Sequence, residues 1–357
     1  MTLCNSNQPR IVDDGEIAIS AFAVFRKLLM AHFSFERAIG ALLLMLTVIL
    51  SLMMIYSPGT GDVMTFLYWT EIVYQNGLFA GYSKIVSLHA NYFYPPLGIA
   101  ILYFARALGN AVELTPLMSF KIIILIFQLF STGVILLRSR SYWFAAAFNA
   151  SLLLCGVGLG YMDVCVAPSL ILAFWAFQSR RDVLGTAMFL IACLIKWQPL
   201  ILAPFIGIYL FKISNPRSCL SAVRRHLFWG LIVLVAVTIA LLTGLFGLAP
   251  ARALRNAMSD PFLSGNALNL PWLAGFFHKL LFSSSFSIQD ELSPSQPDST
   301  YQLPFKIIFW IIFTMIVMRA MRAEKRFENC LLFAIVGFLT YAIWNSGVQI
   351  ICSSPSS

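Results

Sequence analysis

The chain has 357 residues, of which 59% are hydrophobic and only 11% charged, with a formal net charge of +9 and a mean hydropathy of +0.82. Soluble domains carry about 25% charged and about 45–50% apolar residues, so a soluble fold is excluded. Unbroken apolar runs of about 20 residues exclude a β-barrel as well, because its strands alternate apolar and polar.

Residues 1–37 carry Asp13, Asp14, Glu16, Arg26, Lys27 and Arg37 around a broken apolar stretch. No small-residue cleavage site follows a short apolar core, so this segment reads as a cytoplasmic head and not as a signal peptide. The strongest apolar spans are 38–56, 117–137, 227–246, 303–321 and 329–346, and shorter ones run over 142–159, 164–177, 183–195 and 200–211. A lone crossing needs about 20 residues, so the short spans must tilt or lie against protein or a cavity. The weakest segment, 97–109, is brief and carries Arg106. The expected architecture is an all-α polytopic membrane protein, a bundle of about nine to ten transmembrane helices. The seven cysteines (Cys4, Cys155, Cys165, Cys193, Cys219, Cys330 and Cys352) show neither metal-ligand spacing nor a disulfide framework and read as small apolar fillers.

Sidedness follows from the basic residues. The N-terminus together with 138–140, 180–181, 212–225 and 319–326 holds 16 of the 24 Lys and Arg, the bias expected of cytoplasmic loops. The opposite side then receives 57–96, 160–163, 196–199, 247–302 and the C-terminal end. With that assignment the chain crosses only once between Pro96 and Arg138, so 97–109 is expected to be re-entrant or interfacial.

Every polar cluster of chemical interest falls on that second side. The first holds Asp62, Trp69, Glu71, Asn76, Tyr82 and the run Asn91-Tyr92-Phe93-Tyr94-Pro95-Pro96. Asp62 reads either as a helix cap or as a carboxylate able to take a proton from an attacking hydroxyl. The second cluster is Gly160-Tyr161-Met162-Asp163, where an acid at membrane depth marks a polar pathway. The third is Lys196-Trp197-Gln198-Pro199, whose lysine either snorkels to the interface or meets a lipid phosphate. The fourth contains Asn266-Ala267-Leu268-Asn269, residues that suit sugar hydroxyls and turn formation equally. Ser283 to Gln302 is Ser- and Pro-rich and reads as a flexible loop. The fifth is Trp344-Asn345-Ser346-Gly347-Val348, where the last span emerges.

These clusters, in this order, resemble the GT-C superfamily of integral-membrane glycosyltransferases. The likeness is to bacterial polyprenyl-phosphate-sugar enzymes and to the endoplasmic-reticulum glucosyltransferases that extend lipid-linked oligosaccharide. Asp62, Tyr94-Pro95-Pro96, Gly160 to Asp163, Lys196 to Pro199 and Asn266 to Asn269 carry the resemblance, within a domain of residues 38–348. It implies a GT-C-like bundle with interfacial helices in the first external loop. It also implies a mannosyl- or glucosyltransferase moving a hexose, with inversion, from a polyprenyl-phosphate donor to a lipid or glycan acceptor. Asp62 would be the catalytic base, while Asp163, Lys196, Gln198, Tyr94, Asn266 and Asn269 would hold the donor phosphate and sugar. No cofactor and no metal are expected, and no nucleic-acid partner. The expected location is a plasma (bacterial inner) membrane, multi-pass. The alternatives are a multispan transporter or lipid-linked-sugar flippase, whose sites lie mid-bilayer between repeats, and an inactive remnant.

Relatives of this kind read Gly-Val-His-Glu-Asn/Lys where this chain has Gly347-Val348-Gln349-Ile350, followed by Ile351-Cys352-Ser353-Ser354. The family-like continuation Asn-His-Leu-Phe-Val-Pro, written aat cat ctg ttc gtc cc, gives Ile-Ile-Cys-Ser-Ser one base later. Residues 349–357 are therefore expected to be a frameshifted, non-family tail that removes a His and a Glu and impairs the enzyme. A gene whose alternative frame closes at once after this point would exclude that reading.

Overall fold

The structure, a computed structural model, describes residues 35–88, 94–213, 221–258, 277, 280–281, 299–324 and 326–344, and among these it contains helices and turns with no strand. Among the described residues four helices are long and apolar enough to cross a membrane: Phe35–Tyr56, Pro116–Ser139, Trp229–Phe246 and Pro304–Arg322. Several shorter apolar helices lie between them. Large apolar side chains such as Met45, Leu241, Ile311 and Met315 point outward. Water tolerates no contiguous apolar surface of that extent, so the chain is an all-α membrane protein.

In chain order the helices are α1 (Phe35–Tyr56), α2 (Gly61–Asn76), α3 (Leu78–Leu88), α4 (Pro96–Ala111), α5 (Pro116–Ser139), α6 (Tyr142–Leu153), α7 (Ala167–Gln178), α8 (Asp182–Ile195), α9 (Ala203–Ile213), α10 (Ser221–Phe246), α11 (Ala249–Met258), α12 (Ser299–Arg322) and α13 (Phe327–Trp344). Local chemistry sets several starts. Pro96 and Pro116 open α4 and α5, where the missing N–H costs nothing and φ is already helical. Thr115 and Ser141 cap α5 and α6 by accepting from the backbone N–H of Met118 and Phe144.

α5 is the axis of the bundle. Of its apolar window 44% is buried, against 11% for α1, 11% for the Trp229–Phe246 part of α10 and 17% for the Pro304–Arg322 part of α12. One apolar core joins α2, α3, α4 and α5 with the residues around Val157 and Val164. A second joins α7, α8, α9, α12 and α13 around Phe177, Phe205 and Phe313.

Side-chain contacts define two ends of the bundle. At one end Trp143 at the start of α6 donates to the Glu36 carbonyl on α1 (3.0 Å), and Arg138 at the end of α5 reaches Gln178 at the end of α7 (2.9 Å). At the other end Ser57, just past α1, donates to the Gly158 carbonyl beyond α6 (2.7 Å). Lys196, just past α8, pairs there with Asp163.

α4 covers 97–109, the segment expected to be re-entrant or interfacial. It is a continuous helix, and both of its ends stay at the Ser57 end of the bundle. Gly98 lies so close to α8 that an added Cβ would sit 2.6 Å from the Ile195 carbonyl oxygen, and Gly109 packs on Ser119 in the first turn of α5. α4 therefore lies with α2 and α3 in a layer over one end. Arg106 ties that layer together, pairing with Glu71 (3.2 Å) and resting over the Tyr74 ring (5.3 Å). Because the atom opposing Gly98 belongs to a backbone, it has little freedom to give way. Gly98→Ala is expected to lower stability by about 1–3 kcal/mol, read as a fall in melting temperature of the purified protein in detergent. An unchanged melting temperature would mean that α4 and α8 separate freely.

Candidate functional site

The connection Ser57-Pro58-Gly59-Thr60 leads from α1 into α2. Thr60 is the N-cap residue, but its hydroxyl donates to the Leu159 carbonyl (3.3 Å) instead of capping, and its N–H donates to the same oxygen (3.0 Å). Asp62 is the second residue of α2 and so is not the cap. Its place in the first turn puts its charge at the positive end of the helix dipole. The residue is only 6% exposed, and Oδ1 has no hydrogen-bond partner. Burial pushes this carboxyl up to about 6, and the nearby Lys196 ammonium pulls in the opposite direction.

Lys196 leaves α8 with an extended backbone (φ −152°, ψ 142°), because the turn Gln198–Leu202 with Pro199 cannot continue the helix. Its side chain is 14% exposed and turned into the cluster, where it pairs with Asp163 and lies 5.8 Å from the Tyr94 ring centre. Burial brings the ammonium down to about 8, while the Asp62 charge acts upward. Asp163, in the short 3-10 turn Met162–Val166, is 56% exposed. The arrangement is thus a buried acid, a lysine and an outer acid, each from a different part of the chain.

Tyr94 closes the cluster from the α4 side. Its ring packs edge-on against Phe66 (5.4 Å) and tilted against Trp69 (5.7 Å), and its carbonyl accepts from the Tyr82 hydroxyl (3.0 Å). Burial, then the Asp62 charge, raises the Tyr94 phenol, so it remains neutral. Gln198 is half-buried beside Lys196, and the neighbouring Trp197 Nε1–H is buried without a hydrogen-bond partner. Asn266 and Asn269 lie outside the described residues, as do Asn91 to Phe93 and residues 345–357.

Lys121 was not singled out by the sequence reading. It is fully buried in α5 and donates to the carbonyls of Val157 (2.5 Å) and Gly158 (2.9 Å) and to the Ser57 hydroxyl (3.2 Å). The carbonyls are free because α6 runs into a π-helical turn, Leu154–Gly158, the kind of bulge that gathers at functional sites. Lys121 therefore fastens the α1–α2 connection to the turn before Asp163. Gly160 completes the joint. Its φ of +80° belongs to the left-handed region, and a Cβ there would sit 2.4 Å from Val63, the residue after Asp62. The available signal was a lysine inside an apolar span, which is a functional hypothesis by default.

Chemically, the site offers a carboxylate basic enough to accept a proton near neutral pH and an ammonium able to balance a developing negative charge. Among the described residues no group of three His, Cys, Asp or Glu is placed to hold a metal ion. Comparison with protein-family models, with curated proteins and with solved structures finds no match.

Proposed function

We propose that this chain is a multi-pass hexosyltransferase of the GT-C kind, transferring mannose or glucose from a polyprenyl-phosphate donor to a lipid or glycan acceptor with inversion. The observation that carries the reading is the unpartnered Oδ1 of the buried Asp62 in the same cluster as the Lys196 ammonium. Asp62 takes the proton from an acceptor hydroxyl as that oxygen attacks the anomeric carbon. The bond from that carbon to the lipid phosphate breaks, and the electron pair leaves with the phosphate oxygen, whose charge Lys196 offsets. Tyr94 and Gln198 border the donor head, Asp163 holds Lys196 in place, and Asn266 and Asn269 meet sugar hydroxyls. The arginine-bearing end opposite the site is the cytoplasmic one by the basic-residue bias. The reaction then takes place on the non-cytoplasmic face of a plasma (bacterial inner) membrane.

The test is a transfer assay on membranes given radiolabelled polyprenyl-phosphate hexose and candidate acceptors, followed across pH. Transfer is expected to fall below about pH 6, as Asp62 takes up a proton, and above about pH 8, as Lys196 loses one. Lys196→Arg is expected to shift the alkaline limb upward and leave the acid limb in place. A profile flat across both limbs would remove the pair from the chemistry. Sugar appearing across the membrane with no new glycosidic bond would favour the transporter reading.

A further inference from the structure

The end of the bundle away from Asp62 carries a group of exposed arginines that the proposed transfer chemistry does not use. α5 ends on Arg138 and Arg140, and α7 is followed at once by Arg180 and Arg181; all four are exposed. The contact between Arg138 and Gln178 brings the two helix ends together, and Arg180 Nη1 lies 3.5 Å from the Tyr209 hydroxyl on α9. Among the described residues no ion pair links these four to an acid. Asp182, in the first turn of α8, is the one carboxylate next to them in the chain, while the nearby Glu324 is paired with Arg326 (3.0 Å).

Two details separate this cluster from a general excess of positive charge. Arg140 (φ 53°) and Arg180 (φ 59°) occupy left-handed positions at helix ends. Arg180 and Arg181 close α7 with bonds back to the Phe177 and Ala176 carbonyls, a turn whose left-handed slot usually holds glycine. A side chain there costs about 1 kcal/mol or more, so the backbone gives no reason for arginine. Next to these arginines in the chain, Leu137 (75% exposed), Val183 and Leu184 present bare apolar surface, with Trp175 and Trp143 exposed at the same end. Tryptophans at that level mark the interface between lipid tails and headgroups. The cluster therefore offers cation and apolar surface side by side, the shape of a phospholipid with its phosphate up and its chains along α5 and α8.

We infer that Arg138, Arg140, Arg180 and Arg181 form a binding site for an anionic phospholipid headgroup. Guanidinium forks match phosphate oxygens bidentately, and basic pockets between helices at the cytoplasmic end are where such headgroups bind. This inference does not depend on the transfer chemistry at Asp62.

The full chain, purified in detergent, would be titrated with phosphatidylglycerol, phosphatidylcholine or inorganic phosphate and read by native mass spectrometry. Phosphatidylglycerol is expected to remain bound at concentrations where phosphatidylcholine does not, and excess inorganic phosphate is expected not to displace it. Arg138→Gln/Arg180→Gln/Arg181→Gln is expected to weaken phosphatidylglycerol binding about a hundredfold. Arg181→Gln alone, at an exposed side chain that leaves the fold intact, is expected to weaken it several-fold. The control Arg319→Gln/Arg322→Gln, on α12 at the same end, is expected to bind as wild type. Equal retention of phosphatidylcholine, displacement by inorganic phosphate, or equal losses in the control would each overturn the site.

Discussion

Asp62→Asn is expected to lower sugar transfer about 10²–10⁴-fold, the usual contribution of a positioned general base, while the protein becomes slightly more stable. The two effects share one cause. Burial raises the Asp62 carboxyl from 3.8 to about 6, so the folded chain binds a proton more tightly there than the unfolded chain does. Stability from this group is complete below the ordinary aspartate range and is lost as pH rises through about 6. An amide has no charge to desolvate, so Asp62→Asn removes that cost at neutral pH. Its own unpartnered polar atoms return part of it, leaving a gain of about 1 kcal/mol. Transfer assays and melting temperatures at pH 7.5 would check the pair of effects. Wild-type transfer by Asp62→Asn would end the catalytic assignment, and a lowered melting temperature would make Asp62 structural.

Lys121→Met is expected to destabilise the fold by about 2 kcal/mol and to reduce transfer about 100-fold. Methionine fills nearly the same length but donates nothing. The Gly158 carbonyl keeps the Ser57 hydroxyl as a donor (2.7 Å), whereas the Val157 carbonyl loses the Lys121 ammonium. A buried acceptor left without a donor costs about 1–3 kcal/mol, and relief from burying an ammonium offsets some of this. The larger effect is on geometry. Lys121 joins Ser57 to the 157–160 turn, which positions Val63 and therefore Asp62, and a shift of about 1 Å at a reacting group costs about 10² in rate. A few degrees lost in melting temperature, with transfer impaired far beyond that, is the expected signature. Wild-type activity would show that the joint holds without its lysine.

Much of the architecture was legible in the chain because apolar length and basic-residue placement are strong, local signals. Long spans stand out as runs of Leu, Ile and Phe. Arg138, Arg140, Arg180 and Arg181 mark one end before any coordinate is known. The region of 97–109 is expected to be re-entrant or interfacial instead of a full crossing, and both ends of its helix stay at one end of the bundle. Its sequence is short and interrupted by Arg106, but Pro96 starts a helix there and Glu71 with Tyr74 absorbs the arginine. Lys196 shows why site details stay hidden. Whether a lysine at a helix end snorkels or turns inward depends on Asp163, 33 residues earlier, and no spacing rule announces that pairing. Lys121 was harder still, because its partners are backbone carbonyls released by a π-helical turn that only Gly156 and Gly158 hint at.

The central helix also constrains how the chain can be made. Lys121 and Gln128 face inward on α5, and neither is solvated by lipid. The lysine's carbonyl acceptors, Val157 and Gly158, lie 36 and 37 residues further on, and Gln128 donates to Asn149, 21 residues later. Ser57 and Ser51, made before α5, can each receive one of these groups early, but while the ribosome is still short of Gly158 the lysine lacks its two carbonyl acceptors. Its full set of hydrogen bonds therefore closes only once α6 and the turn after it have emerged. Pausing translation just before and just after that point would separate a segment that slips back from one that is retained.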